Sequence, residues 1–120
     1  MNKQVYQNRP TQVEAIHSVG INTTVIRFGV TETEQGFECE EVEYCHKQPL
    51  SEADYGPMVT AIIRSRYDAN EVEAILNNYL ADSENSDHAA EFQQLQEWRA
   101  KAKQAARTII DDAIEQQQQQ

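Results

Sequence analysis

The first half of the chain alternates apolar and polar residues with the two-residue period of a β-strand. The clearest segment is Thr23–Val30, which is rich in β-branched and aromatic residues and places three apolar side chains on one face: Ile26, Phe28 and Val30. A weaker alternation over residues 12–19 predicts a preceding strand. The polar segment 31–36 predicts a hairpin loop of four or five residues, with Gly36 at positive φ.

The predicted return strand, residues 37–46, changes the phase of its alternation midway. In a regular strand its four apolar residues would be divided between the two faces: Phe37 and Cys39 on one, Val42 and Tyr44 on the other. A β-bulge at Glu40–Glu41 would bring all four to one side. The glutamates would then form an acidic outer surface of the sheet: Glu38, Glu40, Glu41 and Glu43. The first half therefore predicts an antiparallel β-meander of two to four strands.

The second half changes to the 3.6-residue period of amphipathic helices. Two capping-box patterns, Ser51 with Asp54 and Asp68 with Glu71, predict two helix starts. The apolar positions of both helices follow the i, i+3, i+4, i+7 pattern: Tyr55, Met58, Val59, Ile62 and Ile63 in the first, and Val72, Ile75, Leu76, Tyr79 and Leu80 in the second. This helix pair holds the densest run of large apolar residues, so it is expected to form much of the core.

A third helix is predicted from about Asp87 to Ile114, with Ser86 or Asp87 as its N-cap. Its apolar stripe has 3-4 spacing: Phe92, Leu95, Trp98, Ala102, Ala105, Ile109 and Ala113, with Ala106 and Ile110 beside it. Because helices usually run to about 10–14 residues, part of this one is expected to project or to pair with another chain.

Together these patterns predict one α+β domain over residues 1–115, with a β-rich part over 1–48 and a helical part over 51–115. The glutamine run at residues 116–120 is expected to be a disordered tail.

The charge balance narrows the classes of function. The 120 residues include 20 acidic and 10 basic ones, a formal net charge of −10. This charge opposes binding to nucleic-acid phosphates and to anionic membranes. No apolar run approaches the ~20 residues of a membrane-spanning helix. The first 12 residues lack the apolar core of a signal peptide, and two cysteines fit a reducing compartment, so a cytoplasmic protein is expected.

The residues with reactive or metal-binding side chains do not have the spacing of a known site. Cys39, Cys45 and His46 do not form the paired C-x2–4-C pattern of zinc sites. On a strand, the neighbours Cys45 and His46 point to opposite faces, which separates a thiol from its base. We therefore expect no metal, no cofactor and no catalytic residue.

The best candidates for a binding site lie at the junction of the first two helices. Arg64, Arg66 and Tyr67 are candidates for contact with an anion or a partner, although cations at a helix C-terminus are also favoured by the helix dipole. Phe92 and Trp98 are candidate interface residues, because aromatic side chains are frequent interface anchors. The basic block of the last helix could face the acidic strands or a second subunit: Arg99, Lys101, Lys103 and Arg107.

The segment Tyr55–Leu80 resembles small uncharacterised proteins of bacterial prophages and related mobile elements. The similarity is carried by Tyr55, Val59, Ile62–Arg64, Arg66–Tyr67, Glu71 and Ala74–Leu76, and it extends through Phe92 and Trp98; the Gly56–Pro57 step departs from it. It covers about half the chain and includes no catalytic motif. The resemblance implies an accessory or assembly protein of phage tails.

These observations favour a non-enzymatic protein-interaction or assembly factor, phage-derived, with a virion protein or a second copy of the chain as partner. One alternative is an acidic mimic of nucleic acid that inhibits a DNA-binding protein. Another is a small ligand-binding protein or enzyme that uses Arg64, Arg66 and Tyr67.

Overall fold

The computed structural model describes residues 3–18, 21–44 and 49–118. Four strands come first: β1 (Lys3–Tyr6), β2 (Val13–Ser18), β3 (Ile21–Thr33) and β4 (Gly36–Glu43). A 3-10 turn, Glu52–Asp54, leads into three helices: α1 (Tyr55–Arg64), α2 (Ala69–Ala81) and α3 (Ser86–Gln118). The predicted α+β class is confirmed, with an antiparallel sheet followed by three helices, of which the last is long.

The sheet has the strand order β1-β4-β3-β2, and every neighbouring pair is antiparallel. Strands β2, β3 and β4 follow one another as in a meander, with Val13 opposite Ile26 and Ile26 opposite Val42. Strand β1 instead pairs with β4, so residues 7–12 cross from one edge of the sheet to the other. We call residues 7–12 the crossing segment.

The bulge of the sheet lies in β3 and not at Glu40–Glu41 of β4, where the sequence pattern had placed it. Phe28 pairs with Glu40 and Thr31 pairs with Glu38, so two residues of β3 lie opposite one residue of β4. Gly29 has a φ of +64°, a conformation that glycine adopts without steric cost.

This position of the bulge changes which glutamates face outward. Because β4 is regular, Glu40 shares the helix-facing side with Val42, whereas Glu41 points to the opposite side with Cys39. Glu40 is only 3% exposed. The predicted single acidic outer surface therefore does not form, because Glu40 is buried and Glu41 is half-buried.

The β3–β4 hairpin is tighter than predicted. Thr33 pairs directly with Gly36, which leaves Glu34 and Gln35 as a two-residue loop in place of four or five residues. The Thr33 hydroxyl accepts a hydrogen bond from the Gln35 N–H at 3.2 Å and donates to the Gly36 carbonyl at 3.1 Å. The predicted positive φ of Gly36 is confirmed at +135°.

Helix α3 is the centre of the core, rather than the α1–α2 pair. It packs against α1, α2 and β3. Seven residues of its predicted stripe are buried: Leu95, Trp98, Ala102, Ala105, Ala106, Ile109 and Ile110. They meet Ile26, Phe28 and Val42 from the sheet and Met58 and Ile62 from α1.

Helix α2 contributes less to the core than its pattern predicted. None of its residues is buried, and Leu80 is 81% exposed. Its Tyr79 ring stacks on Phe92 of α3, with ring centroids 4.0 Å apart. Helix α2 is therefore a peripheral element that rests on one side of α3.

The capping residues are partly as predicted. The Asp68–Glu71 capping box is confirmed, since the Asp68 carboxylate accepts from the Glu71 N–H at 2.7 Å and the Asp68 N–H donates to Glu71 Oε1 at 3.2 Å. Helix α3 is capped by Asn85, whose Oδ1 accepts from the N–H groups of Asp87 and His88, and not by Ser86 or Asp87 themselves.

Three residues of the predicted disordered tail, 116–118, belong to α3, and Gln119 and Gln120 lie outside the described residues. The helix continues through the glutamine run to Gln118. The Gln117 side-chain amide donates a hydrogen bond of 3.0 Å to the Leu50 carbonyl, which anchors this last turn to the segment before α1.

Candidate functional site

The structure brings together three of the five residues singled out from the sequence. Arg66, Tyr67 and Trp98 line one concave surface of about 280 Å³, which we call the Arg66 hollow; its full lining is Arg66, Tyr67, Gln94, Glu97, Trp98 and Lys101. Arg64 is exposed at the end of α1 and does not line this hollow. Phe92 is half-buried in its stack with Tyr79.

Arg66 is held in place by two neighbours. Its guanidinium carbon lies 3.8 Å from the centre of the Trp98 ring, a cation–π contact. Its Nη2 lies 3.6 Å from Oε1 of the buried Glu40. A buried carboxylate is costly unless a cation faces it, so the charge of Arg66 compensates that of Glu40.

Trp98 is a core residue with one edge at the hollow. Its ring is buried, and its Nε1 donates a hydrogen bond of 3.1 Å to the Ile62 carbonyl of α1. Phe28 of β3 lies 6.2 Å from it, centroid to centroid. Trp98 therefore joins α3 to α1 and to the sheet, a structural role that the interface prediction did not include.

A larger concavity lies between the crossing segment, β3 and α3. We call it the basic groove. Its volume is about 590 Å³, within the range of ligand and peptide sites. Its lining combines apolar and basic side chains with exposed backbone near the β3 bulge: Arg9, Pro10, Gln12, Arg27, Phe28, Gly29, Val30, Lys101, Gln104, Ala105, Thr108 and Ile109.

The charge of the basic groove is opposite to that of the whole protein. Among the residues described by the structure, its lining includes three basic residues and no acidic one. Arg27 is already paired, with Glu14 at 2.6 Å and Glu41 at 2.7 Å. Arg9 and Lys101 are exposed and form no ion pair with any residue in the described ranges. Each lies over an aromatic ring, Arg9 at 5.3 Å from the centre of Phe37 and Lys101 at 5.7 Å from that of Trp98, so neither charge is neutralised by a carboxylate. They are the two cations that a ligand in the groove can reach.

A third concavity lies between α2 and α3. We call it the acidic groove; it measures about 350 Å³ and is lined by Tyr67, Glu71, Ala74, Ile75, Glu91 and Gln94. Its two charged residues are both glutamates, and both are exposed. The acidic and basic grooves lie on either side of the Arg66 hollow.

The described residues contain no group of three or more histidine, cysteine or acidic side chains placed to hold a metal ion. Cys45 and His46 lie outside the described residues. Cys39 is buried on the sheet face opposite the helices, and burial raises the pKa of its thiol. A raised pKa keeps Cys39 in its less reactive thiol form at neutral pH.

None of the helices in the described part of the chain is both long enough and apolar enough to span a lipid bilayer. Comparisons of the chain with protein-family models, with curated proteins and with solved structures found no match.

The basic groove was not predicted from the sequence. Its residues come from three distant segments, and they include no local motif. The only signal was the basic block of α3, which contains Lys101. Within that block Arg107 has a different role, because its guanidinium pairs with Glu52 at 2.6 Å and Asp111 at 2.9 Å.

Proposed function

We propose that this protein is a non-enzymatic interaction factor whose basic groove binds an acidic segment of a partner protein that also carries apolar side chains. The observation that carries the proposal is a pair of exposed cations, Arg9 and Lys101, that have no acidic partner among the described residues and lie beside apolar walls in a protein of net charge −10. Apolar walls supply affinity, and a few charged groups at the rim select and steer the ligand.

A protein segment fits the groove better than a nucleic acid. Nucleic-acid binding needs a broad basic surface along the phosphates, whereas this groove offers two exposed cations, Arg9 and Lys101, within a strongly acidic molecule. The resemblance of residues 55–80 to prophage proteins supports a phage tail or virion protein as the partner, met in the cytoplasm during assembly.

The proposal is tested by selecting binders from a random display library of twelve-residue peptides on the immobilised protein. We expect the selected peptides to combine Asp or Glu with a large apolar residue. Titration of one such peptide into ¹⁵N-labelled protein should shift the amides of Gly29 and Thr108, which line the groove.

Two lysine variants distinguish binding in the basic groove from a general effect of the protein's charge. Lys101→Glu should weaken the peptide about tenfold or more, roughly 1.4 kcal/mol. Lys103→Glu makes the same charge change at an exposed site outside the groove and should leave affinity within about twofold. Thr108→Trp, which fills the groove, should also weaken binding. Equal losses in the two lysine variants, or shifts confined to other surfaces, would overturn the proposal.

A further inference from the structure

The three concavities share lining residues and follow one side of α3. Lys101 lines both the basic groove and the Arg66 hollow. Tyr67 and Gln94 line both the Arg66 hollow and the acidic groove. Each concavity therefore borders the next.

The spacing along α3 agrees with a single continuous surface. Gln94, Lys101 and Thr108 are seven residues apart in sequence, close to two helical turns, so they lie above one another on the same side of the helix. From Glu91 to Thr108 the helix rises roughly 26 Å, at about 1.5 Å per residue. An extended polypeptide covers that length with about eight residues, at about 3.3 Å each.

The charge reverses from one end of this surface to the other. The end near the sheet carries Arg9 and Lys101, whereas the end near α2 carries Glu71 and Glu91. A ligand that is acidic throughout would be repelled at the α2 end, and a ligand that is basic throughout would be repelled at the sheet end. The surface is complementary only to a segment with opposite charges at its two ends.

We propose that the basic groove, the Arg66 hollow and the acidic groove form one binding track for an extended partner segment of about eight residues. The acidic end of that segment lies at Lys101 and Arg9, and its basic end lies at Glu71 and Glu91. This inference rests on the proposed function, because it extends the same basic groove, and it adds the length and the charge order of the partner segment.

The test uses a peptide obtained from the display selection, trimmed to the six residues that still shift the groove amides. Three forms are compared by calorimetric titration: the six-residue peptide, and the same peptide extended at either end by Gly-Ser-Lys-Lys. We expect the lysine extension at one end, and not at the other, to tighten binding threefold to tenfold.

Variants of the acidic groove show where the extension lies. Glu91→Lys should abolish the gain from the extension and leave the six-residue peptide unaffected. Glu73→Lys makes the same charge change at an exposed position of α2 that does not line the groove, and the gain should remain. Replacing the added lysines with glutamates should weaken binding below that of the six-residue peptide.

The outcomes distinguish the two proposals. If no selected twelve-residue peptide shifts the amides of the basic groove, the proposed function fails. If the six-residue peptide binds but neither extension tightens it, or if Glu73→Lys and Glu91→Lys reduce the gain equally, the single track is overturned and the basic groove acts alone. Sedimentation showing a dimer that the peptide dissociates would also overturn it, because the track would then be covered by a second copy.

Discussion

At the scale of single residues, Arg27 joins more elements than any pattern in the sequence indicated. Its guanidinium is 3% exposed and donates to Glu41 Oε1 at 2.7 Å, to Glu14 Oε1 at 2.6 Å and to the Thr11 carbonyl at 3.1 Å. Burial alone lowers the pKa of an arginine, but the hydrogen bonds that Arg27 donates to Glu14 and Glu41 raise its pKa above the usual value. One side chain thus ties β3 to β2, β4 and the crossing segment.

We expect Arg27→Met to lower the free energy of unfolding by about 3–5 kcal/mol, because it leaves half-buried Glu41 without its cation. The measurement is urea-induced unfolding at pH 7. Lys3→Met is the matched control: its ion pair with Glu38 is also within hydrogen-bonding distance, at 3.0 Å, but both side chains are exposed, so the loss should stay below about 1 kcal/mol. Similar losses in both variants would contradict a special role for Arg27.

At the scale of the elements, β3 and β4 depend on two glycines for different reasons. Gly29 provides the positive φ of the bulge and has open space where a Cβ would lie. Gly36 combines a positive φ with close approach of β1, because an added Cβ would collide with the Tyr6 carbonyl. The hairpin end and the β1 edge are therefore coupled through Gly36.

Alanine at three glycines should rank in a defined order. Gly29→Ala carries only backbone strain and should lower the free energy of unfolding by about 1–2 kcal/mol. Gly36→Ala should cost more, about 3 kcal/mol, because the collision with Tyr6 adds to the strain. Gly56→Ala, in the first turn of α1 with open space around it, should raise stability by about 0.4–1 kcal/mol.

Thermal and urea unfolding of the three alanine variants measure this ranking. If Gly29→Ala lowers the free energy of unfolding as much as Gly36→Ala does, the contact between the hairpin and β1 does not contribute to stability.

The elements also show what local sequence could predict. The Asp68–Glu71 capping box is a short-range interaction, so the identities of these two residues were sufficient to predict it. The phase change in β4 had two solutions: a bulge in β4, or a regular strand with a buried Glu40. The second is realised because Arg66, 26 positions later, supplies the cation. A pattern within one strand contains no information about such a distant partner.

At the scale of the whole molecule, the described residues form a body of 52 × 37 × 32 Å, elongated in keeping with a 33-residue α3. The sheet and α1 cover the C-terminal half of that helix, and α2 rests on its N-terminal half. The buried residues of the C-terminal half are Ala102, Ala105, Ala106, Ile109 and Ile110. The fold was predictable as a class because periodicity reports element type. The grooves were not, since they arise from the docking of elements far apart in the chain.

The uneven distribution of the core predicts uneven local stability. Helix α2 has no buried residue, so we expect its amides to exchange hydrogen through local openings at least about 2 kcal/mol less costly than global unfolding. Amides of Ile26 and Ile109, both in the core, should exchange only on global unfolding. Native-state hydrogen exchange by NMR checks this, and equal protection of Ile75 and Ile109 would refute it.

The strand order has a consequence for the order of assembly during synthesis. Strand β1 leaves the ribosome first, yet its partner strand is β4, and Lys3 and Glu38 are 35 residues apart. The hairpins of β2, β3 and β4 join neighbours in sequence and can form as each strand emerges. Strand β1 must stay unpaired until β4 has been made, so the first of these four strands to be synthesised is the last to enter the sheet.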